Sequence, residues 1–251
     1  MIGVTEQGAA TLLEVKGVSR RFGGLSAVDD VSFKTAKGEV VAIVGPNGAG
    51  KTTLFNLLSG HLPLSSGEIE FDGQTITNLP AHRRARLGMG RTFQIVHPIP
   101  SLTVLENTMV GAFHAYPKRN QAIKRAEECL ERLGLMSQAG MLAGNLTLGG
   151  RKRLEVARAV AGNTRLLMLD EVMAGLNPTE TEEAVQMIAS LQADGMTVVV
   201  VEHDLKVVRA LAAHVVVLDH GAVIAAGEPN EVLDSPQVVE AYLGTKRSRH
   251  E

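Results

Sequence analysis

Whatever fold this chain adopts, it must accommodate Gly45-Pro46-Asn47-Gly48-Ala49-Gly50-Lys51-Thr52. The stretch fits the pattern G-x-x-x-x-G-K-[ST] at every fixed position, and its flanks fit as well. Glu39-Val40-Val41-Ala42-Ile43-Val44 is an apolar run of strand length. Thr53 to Ser59 has helical spacing with Leu54, Leu57 and Leu58 on one face, and Gly60 suits the helix end. Glycines 45, 48 and 50 let the backbone curl so that successive N–H groups converge on phosphate oxygens. The helix N-terminus beyond them, entered through Lys51, Thr52 and Thr53, adds a partial positive charge. Lys51 can reach β- and γ-phosphates, and the Thr52 hydroxyl can ligate Mg²⁺. A glycine-rich turn that happens to precede Lys-Thr is the competing reading, and the strand–loop–helix order argues against it. The stretch is expected to bind a nucleotide.

Composition narrows the setting. With 251 residues, 45% hydrophobic and 21% charged, the chain suits one large domain or a core carrying an inserted subdomain. A net charge of −2 argues against a general nucleic-acid binder. The single cysteine, Cys129, excludes an internal disulfide and suits a reducing compartment. It falls in a helical pattern with Ile123, Ala126, Leu130 and Leu133, so a packing role is expected. No basic segment followed by an apolar core marks a signal peptide, and no apolar run is long enough to span a bilayer. The expectation is a cytoplasmic protein whose membrane role, if any, comes through a partner.

Along the chain, residues 1–10 and 245–251 read as tails. Leu12–Val15 and Val31–Lys34 read as strands flanking a turn at Phe22-Gly23-Gly24. Glu68–Phe71 and Gln74–Ile76 flank Asp72-Gly73, a hairpin signal. A strand-like segment returns over Gly88–Gln94 and is broken by His97-Pro98-Ile99-Pro100. Helical periodicity then dominates, over Val104–Ala115, Gln121–Leu133 and Arg151–Ala161. Beyond Leu166–Leu169, helices over Glu180–Gln192 and Asp204–Leu211 alternate with strands over Thr197–Val201 and His214–Leu218, as in a parallel sheet covered by helices. The expected fold is α/β: a core over 11–94 and 163–244 with an antiparallel β subdomain, and an inserted helical subdomain over 95–162.

A phosphate loop alone leaves kinases, GTPases and motor ATPases open. Leu166-Leu167-Met168-Leu169-Asp170-Glu171 is an apolar strand ending in two acids. Asp170 can hold Mg²⁺ through its water shell, and Glu171 can polarise an attacking water as general base. Two solvated carboxylates are the plainer reading. Val198–Val201 likewise delivers Glu202 and His203, and His203 can hydrogen-bond a γ-phosphate; its place at a strand end raises it above a structural histidine. Together these residues read as ATP hydrolysis.

With these residues the chain resembles the ATP-binding-cassette ATPases over nearly its whole length, as a single P-loop nucleotide-binding domain. The resemblance implies that Gly45–Thr52 is the Walker A loop and that Asp170-Glu171 closes Walker B. It implies that Gln94, in Arg91-Thr92-Phe93-Gln94, senses Mg²⁺, that Phe22 stacks on adenine and that His203 is the switch histidine. Gly175-Leu176-Asn177-Pro178 lies where the D-loop runs. Leu146-Thr147-Leu148-Gly149-Gly150 occupies the place of the signature, usually Leu-Ser-Gly-Gly-Gln. Thr147 keeps a hydroxyl there, and Gly149 a backbone N–H for a γ-phosphate presented by another subunit. Val172 stands where the family usually has proline.

Several strings are similar to the ATPase subunits of branched-chain amino-acid importers: Phe22-Gly23-Gly24-Leu25, Leu102–Asn107, Ala174–Pro178, Val201–Lys206 and Ala241–Gly244. The resemblance implies ATP and Mg²⁺ as cofactors, closure with a homologous ATPase subunit in a homo- or heterodimer, and two transmembrane permease subunits fed by a solute-binding protein. It places the chain on the inner face of the cell membrane. A soluble cassette ATPase, such as an iron–sulfur assembly subunit, is the alternative; a non-hydrolysing regulatory cassette is favoured only by Val172 and the altered signature. The basic clusters Arg83-Arg84-Ala85-Arg86, Arg151-Lys152-Arg153 and Lys246-Arg247-Ser248-Arg249 are expected to be mostly solvated faces, the last able to touch anionic lipid.

Overall fold

A computed structural model describes residues 10–92 and 98–247, with side chains described as far as Leu243. In chain order the strands and helices begin with β1 (Thr11–Phe22), β2 (Leu25–Ala36), β3 (Val40–Val44), α1 (Lys51–Leu58), β4 (Ser66–Phe71), β5 (Gln74–Thr75), α2 (Ala81–Arg86) and β6 (Met89–Arg91). They continue with α3 (Val104–Ala112), α4 (Arg119–Arg132), α5 (Leu148–Ala161), β7 (Leu166–Asp170), α6 (Pro178–Ala193) and β8 (Thr197–Val201). The chain closes with α7 (Leu205–Leu211), β9 (His214–Asp219), β10 (Ala222–Gly227), α8 (Pro229–Leu233) and α9 (Pro236–Arg247). The expected α/β class holds. By contact density the chain divides into a first unit, residues 1–81 and 192–251, and a second, residues 82–191.

Two sheets build the first unit. The antiparallel one has strand order β2-β1-β4-β5. Its long hairpin β1–β2 turns through Gly23-Gly24, with Gly23 at φ 58°. In the other, β3 lies between parallel neighbours β8 and β9, and β10 pairs antiparallel with β9. Every residue of β3 and of β8 is buried. Strands covered on both faces lose the polar–apolar alternation, which is why Val40–Val44 and Thr197–Val201 read as continuous apolar runs. Each such side chain contributes about 1.5–3 kcal/mol on burial.

β10 is absent from the sequence reading. It follows β9 through His220-Gly221, both at positive φ, 45° and 84°, the pattern of a two-residue hairpin turn. His-Gly is a weaker signal than Asn-Gly, and β10 is half-buried along its length. β1 and β2 also run well beyond the expected Leu12–Val15 and Val31–Lys34. Register shifts between Val15 and Val18 and between Val18 and Arg20 break the alternation that marks a strand in sequence.

The second unit pairs β6 with β7 in parallel and packs α3, α4 and α5 together. Thr103 caps α3 in a capping box with Glu106: each side chain accepts the other's backbone N–H. These bonds hold the Glu106 carboxyl below its usual range. Buried Asn107 accepts from Ile99 N–H and donates to the carbonyls of Ile99, Leu102 and Thr103, fixing the approach to α3. The helix stops at Ala112, short of the expected Ala115, ahead of Pro117. Cys129 is buried in α4, and burial pushes its thiol up.

The basic clusters are not uniformly solvated. Arg84 is 1% exposed and burial lowers its guanidinium to about 10, while Lys152 is 6% exposed. In each short run one side chain faces inward at helical spacing, which a tally of charges does not reveal. The side chains of Lys246 and Arg247, and Ser248 and Arg249 altogether, lie outside the described residues, as do residues 1–9. Among the described residues, no helix is long and apolar enough to cross a membrane.

Candidate nucleotide site

In the first unit, β3 delivers the chain into Gly45–Gly50, which wraps the start of α1. Gly45 has φ 151°, and a Cβ there would sit on the Leu218 carbonyl. Gly50, the N-cap of α1 at φ 97°, would place its Cβ on the Ala27 carbonyl. Both neighbours are backbone, which cannot rotate away, so these positions require glycine. Ala49 N–H donates to the Pro46 carbonyl at 3.2 Å. From outside, Gly221 N–H donates to the Ala49 carbonyl at 3.1 Å, and Asp29 N–H to the Gly221 carbonyl at 2.8 Å.

The loop is cationic on its inner side. Lys51 is buried and its Nζ donates to the carbonyls of Gly45 at 2.7 Å and Pro46 at 2.9 Å. α1 has no acidic residue in its first turn and no side-chain cap, so its own side chains do not offset the positive end of the helix dipole. Asn47, Gly48 and Thr52 are exposed, Gly50 and Thr53 half-buried, and Pro46 and Ala49 buried. The arrangement suits an anion with several oxygens.

Two further predicted residues belong to this unit. At the end of β8, Glu202 is fully buried while the His203 side chain is 60% exposed, its Nδ1 4.0 Å from Glu202 Oε2. Phe22, at the tip of the β1–β2 hairpin, is 45% exposed. The Arg20 guanidinium lies 4.7 Å from its ring centroid.

The two acids lie in the second unit. The β6–β7 register sets Arg91 opposite Met168, and Arg91 reaches Asp170 Oδ2 at 3.4 Å. Asp170 is 3% exposed, and its N–H donates to the Thr92 hydroxyl at 3.2 Å. Burial pushes the Asp170 carboxyl up against the opposing pull of Arg91; burial likewise lowers the Arg91 guanidinium. Glu171 is half-buried and sits at φ 50°. A non-glycine residue in that region costs on the order of 1 kcal/mol. Its carbonyl accepts from Ala174 N–H at 3.1 Å and from Lys152 Nζ at 3.2 Å.

Thr147 N-caps α5, accepting from Gly150 N–H at 3.1 Å, so the predicted signature residues form one helix start. Thr147 is exposed, Gly150 half-buried and Gly149 buried. A Cβ on Gly149 would come within 2.9 Å of Glu180 Oε1. In the predicted D-loop, Asn177 caps α6 through reciprocal bonds with Glu180. Gln94 lies outside the described residues.

Sequence reasoning missed three contributors. Arg91 and Thr92 carry no signal of their own in the sequence, yet they hold Asp170 from 79 and 78 residues away. Lys152 sits in a basic run that reads as a charged face. The signal for it was present: Gly149, Lys152, Val156 and Val160 recur at helical spacing, and all four are buried.

Comparison with known proteins agrees. Residues 28–174 match the family model described as "ABC transporter". Residues 222–247 match the one described as "Branched-chain amino acid ATP-binding cassette transporter". The chain is 42% identical over 250 residues to the high-affinity branched-chain amino acid transport ATP-binding protein BraF of Pseudomonas aeruginosa, covering 93% of this chain and 98% of the relative. It is 40% identical over 249 residues to the corresponding LivG of Escherichia coli, with the same two coverages. A crystal structure of a nucleotide-free ATP-binding cassette from an ABC transporter superposes with a TM-score of 0.86 at 32% identity, covering 92% of this chain and 98% of that one. A dimeric post-hydrolysis cassette bound to ADP and Pi gives 0.77 at 29% identity, covering 87% and 99%. The chain therefore belongs to the ABC transporter family, as one of its ATP-binding cassette ATPases.

Proposed function

We propose that the chain is the ATP-hydrolysing subunit of an importer for branched-chain amino acids or a similar small solute, bound peripherally to the inner face of the membrane through permease partners. The observation that carries the reading is the loop itself. A helix N-terminus without a side-chain cap begins at a buried lysine whose ammonium donates to two carbonyls of the same loop. The relatives named for branched-chain amino acid transport span nearly the whole chain, so the soluble iron–sulfur assembly alternative is not favoured.

Lys51 exchanges its loop carbonyls for β- and γ-phosphate oxygens, and the N–H groups of Gly45 and of Asn47–Thr53 take the remaining oxygens, Pro46 having none to give. Phe22 offers its exposed ring to adenine, and His203 hydrogen-bonds the γ-phosphate. Thr52 and Asp170, with Gln94, are hard oxygen donors that suit Mg²⁺. Those residues would hold Mg²⁺, and the ion would supply neutralisation of the charge that develops on the phosphates. Arg91, paired with Asp170, would share that carboxylate with the ion. Glu171 accepts the proton of the attacking water. Thr147, Gly149 and Gly150 contact the nucleotide of a second cassette, homologous or identical, so that ATP favours a closed dimer over an open one.

Glu171→Gln is the test. It is expected to bind Mg-ATP as tightly as the wild type by calorimetry, release phosphate about 100-fold more slowly, and elute as a dimer with ATP, alone or with its co-expressed partner cassette. Wild-type phosphate release by this variant overturns the role of Glu171. Lys51→Ala is expected to lose nucleotide affinity, and unchanged binding removes Lys51 from the site.

A further inference from the structure

We propose that Lys152 is a positioning residue for Glu171, holding the peptide of the general base in place of the proline this chain lacks. The inference rests on the reading of Glu171 as the base, and its physical content is local to the second unit. The Ala174 N–H to Glu171 carbonyl bond closes a four-residue turn with Val172 at its second position. Proline is favoured there because its ring fixes φ near −65°, about the value a turn needs. Valine supplies no such restraint, although its side chain is 4% exposed. Glu171, at φ 50°, starts this turn in a conformation a non-glycine residue holds only when its surroundings impose it.

Lys152 supplies the restraint. It stands in the second turn of α5, on the buried stripe with Gly149, and its Nζ donates to the same carbonyl at 3.2 Å. A donor that carries a charge makes a stronger bond than a neutral one. The cation is 6% exposed, so water competes little for it. The peptide of Glu171 is thus gripped by an amide from within its own turn and by an ammonium from the neighbouring helix. The carboxylate direction follows from that peptide, and small displacements of a catalytic group cost large factors in rate.

The experiment uses the full chain. Lys152→Met keeps the length and apolar stem of the side chain and removes the donor. It is expected to lower kcat for phosphate release about tenfold, with KM for ATP and calorimetric nucleotide affinity within about twofold of wild type. Ala174 amide exchange should rise about tenfold as the turn loosens. Lys152→Arg restores the donor and should recover most of kcat. Val172→Pro, added to Lys152→Met, should recover it by the other route. Lys152→Gln, whose amide stops short of the carbonyl, repeats the loss if the methionine variant folds poorly.

Wild-type kcat in Lys152→Met, or a loss that neither arginine nor proline repairs, overturns the proposal. Should Glu171→Gln hydrolyse ATP normally, the base assignment fails on its own. Exchange at Ala174 then decides whether Lys152 holds the turn: unchanged exchange overturns that, and a tenfold rise supports it.

Discussion

Asp170 and Glu171 are neighbours in the chain that live under opposite conditions. Asp170 is buried at the end of β7 and faces a cation from neighbouring β6, whereas Glu171 is half in solvent in the left-handed region. The difference arises because β7, buried throughout, ends at Asp170, while Glu171 lies past the strand in the left-handed region and opens a turn. Removing one partner of a buried ion pair leaves the other charge uncompensated, which costs about 3–5 kcal/mol. Arg91→Met is therefore expected to lower stability by about 3 kcal/mol in denaturant unfolding, and Asp170→Asn in the same chain should recover most of it. An unchanged midpoint in Arg91→Met would show that the pair is already satisfied by water. The two acids were legible in sequence because an apolar strand leads to them. Their cation was not, because the strand that carries Arg91 is separated from them by the whole helical segment, and only pairing register brings it back. Arg84 teaches the same lesson in reverse: three arginines within four residues read as a wet face, and one of them points into the interior.

Among the elements, the strands β3, β7 and β8 were legible because they are buried throughout and hence uniformly apolar. β10 and the ends of β1 and β2 were not, because bulges and half-burial blur the two-residue period. Helix packing hid a different constraint. Gly111, near the end of α3, lies against the backbone of α5, where an added Cβ would fall on the Arg158 carbonyl. Neither helix can give without shifting bodily, so Gly111→Ala is expected to destabilise the protein by about 1–3 kcal/mol, read as a lower unfolding midpoint, despite alanine's better helix propensity. A gain in stability would mean that the two helices separate easily.

For the molecule as a whole, the α/β class and the P-loop followed from the sequence, whereas the boundary between units did not. No linker composition marks residues 82 or 192, because each falls at a helix that continues across the boundary. Burial and the raised thiol of Cys129 give a global probe. At pH 8 the folded chain should label with a thiol reagent at least 100-fold more slowly than the unfolded chain, and rapid labelling would reveal opening of the helical segment. The setting of the protein is tested by affinity purification from gently solubilised membranes. Two multi-span proteins and a second cassette are expected to co-purify, and a purely soluble assembly would exclude an importer.

The loop around Lys51 is held in shape largely by main-chain atoms of Ala27, Asp29, Leu218 and Gly221. Since Ala27 and Asp29 act through their peptide groups, their side chains are free to drift over generations without deforming the loop, whereas Leu218 is held by its own burial and Gly221 by its positive φ. In a saturation library selected for ATP binding, exposed Asp29 and half-buried Ala27 should accept many substitutions, buried Leu218 only apolar ones of similar size, and Gly45 and Gly50 almost none. The sequence record of such a site would then preserve the tenant and forget the walls.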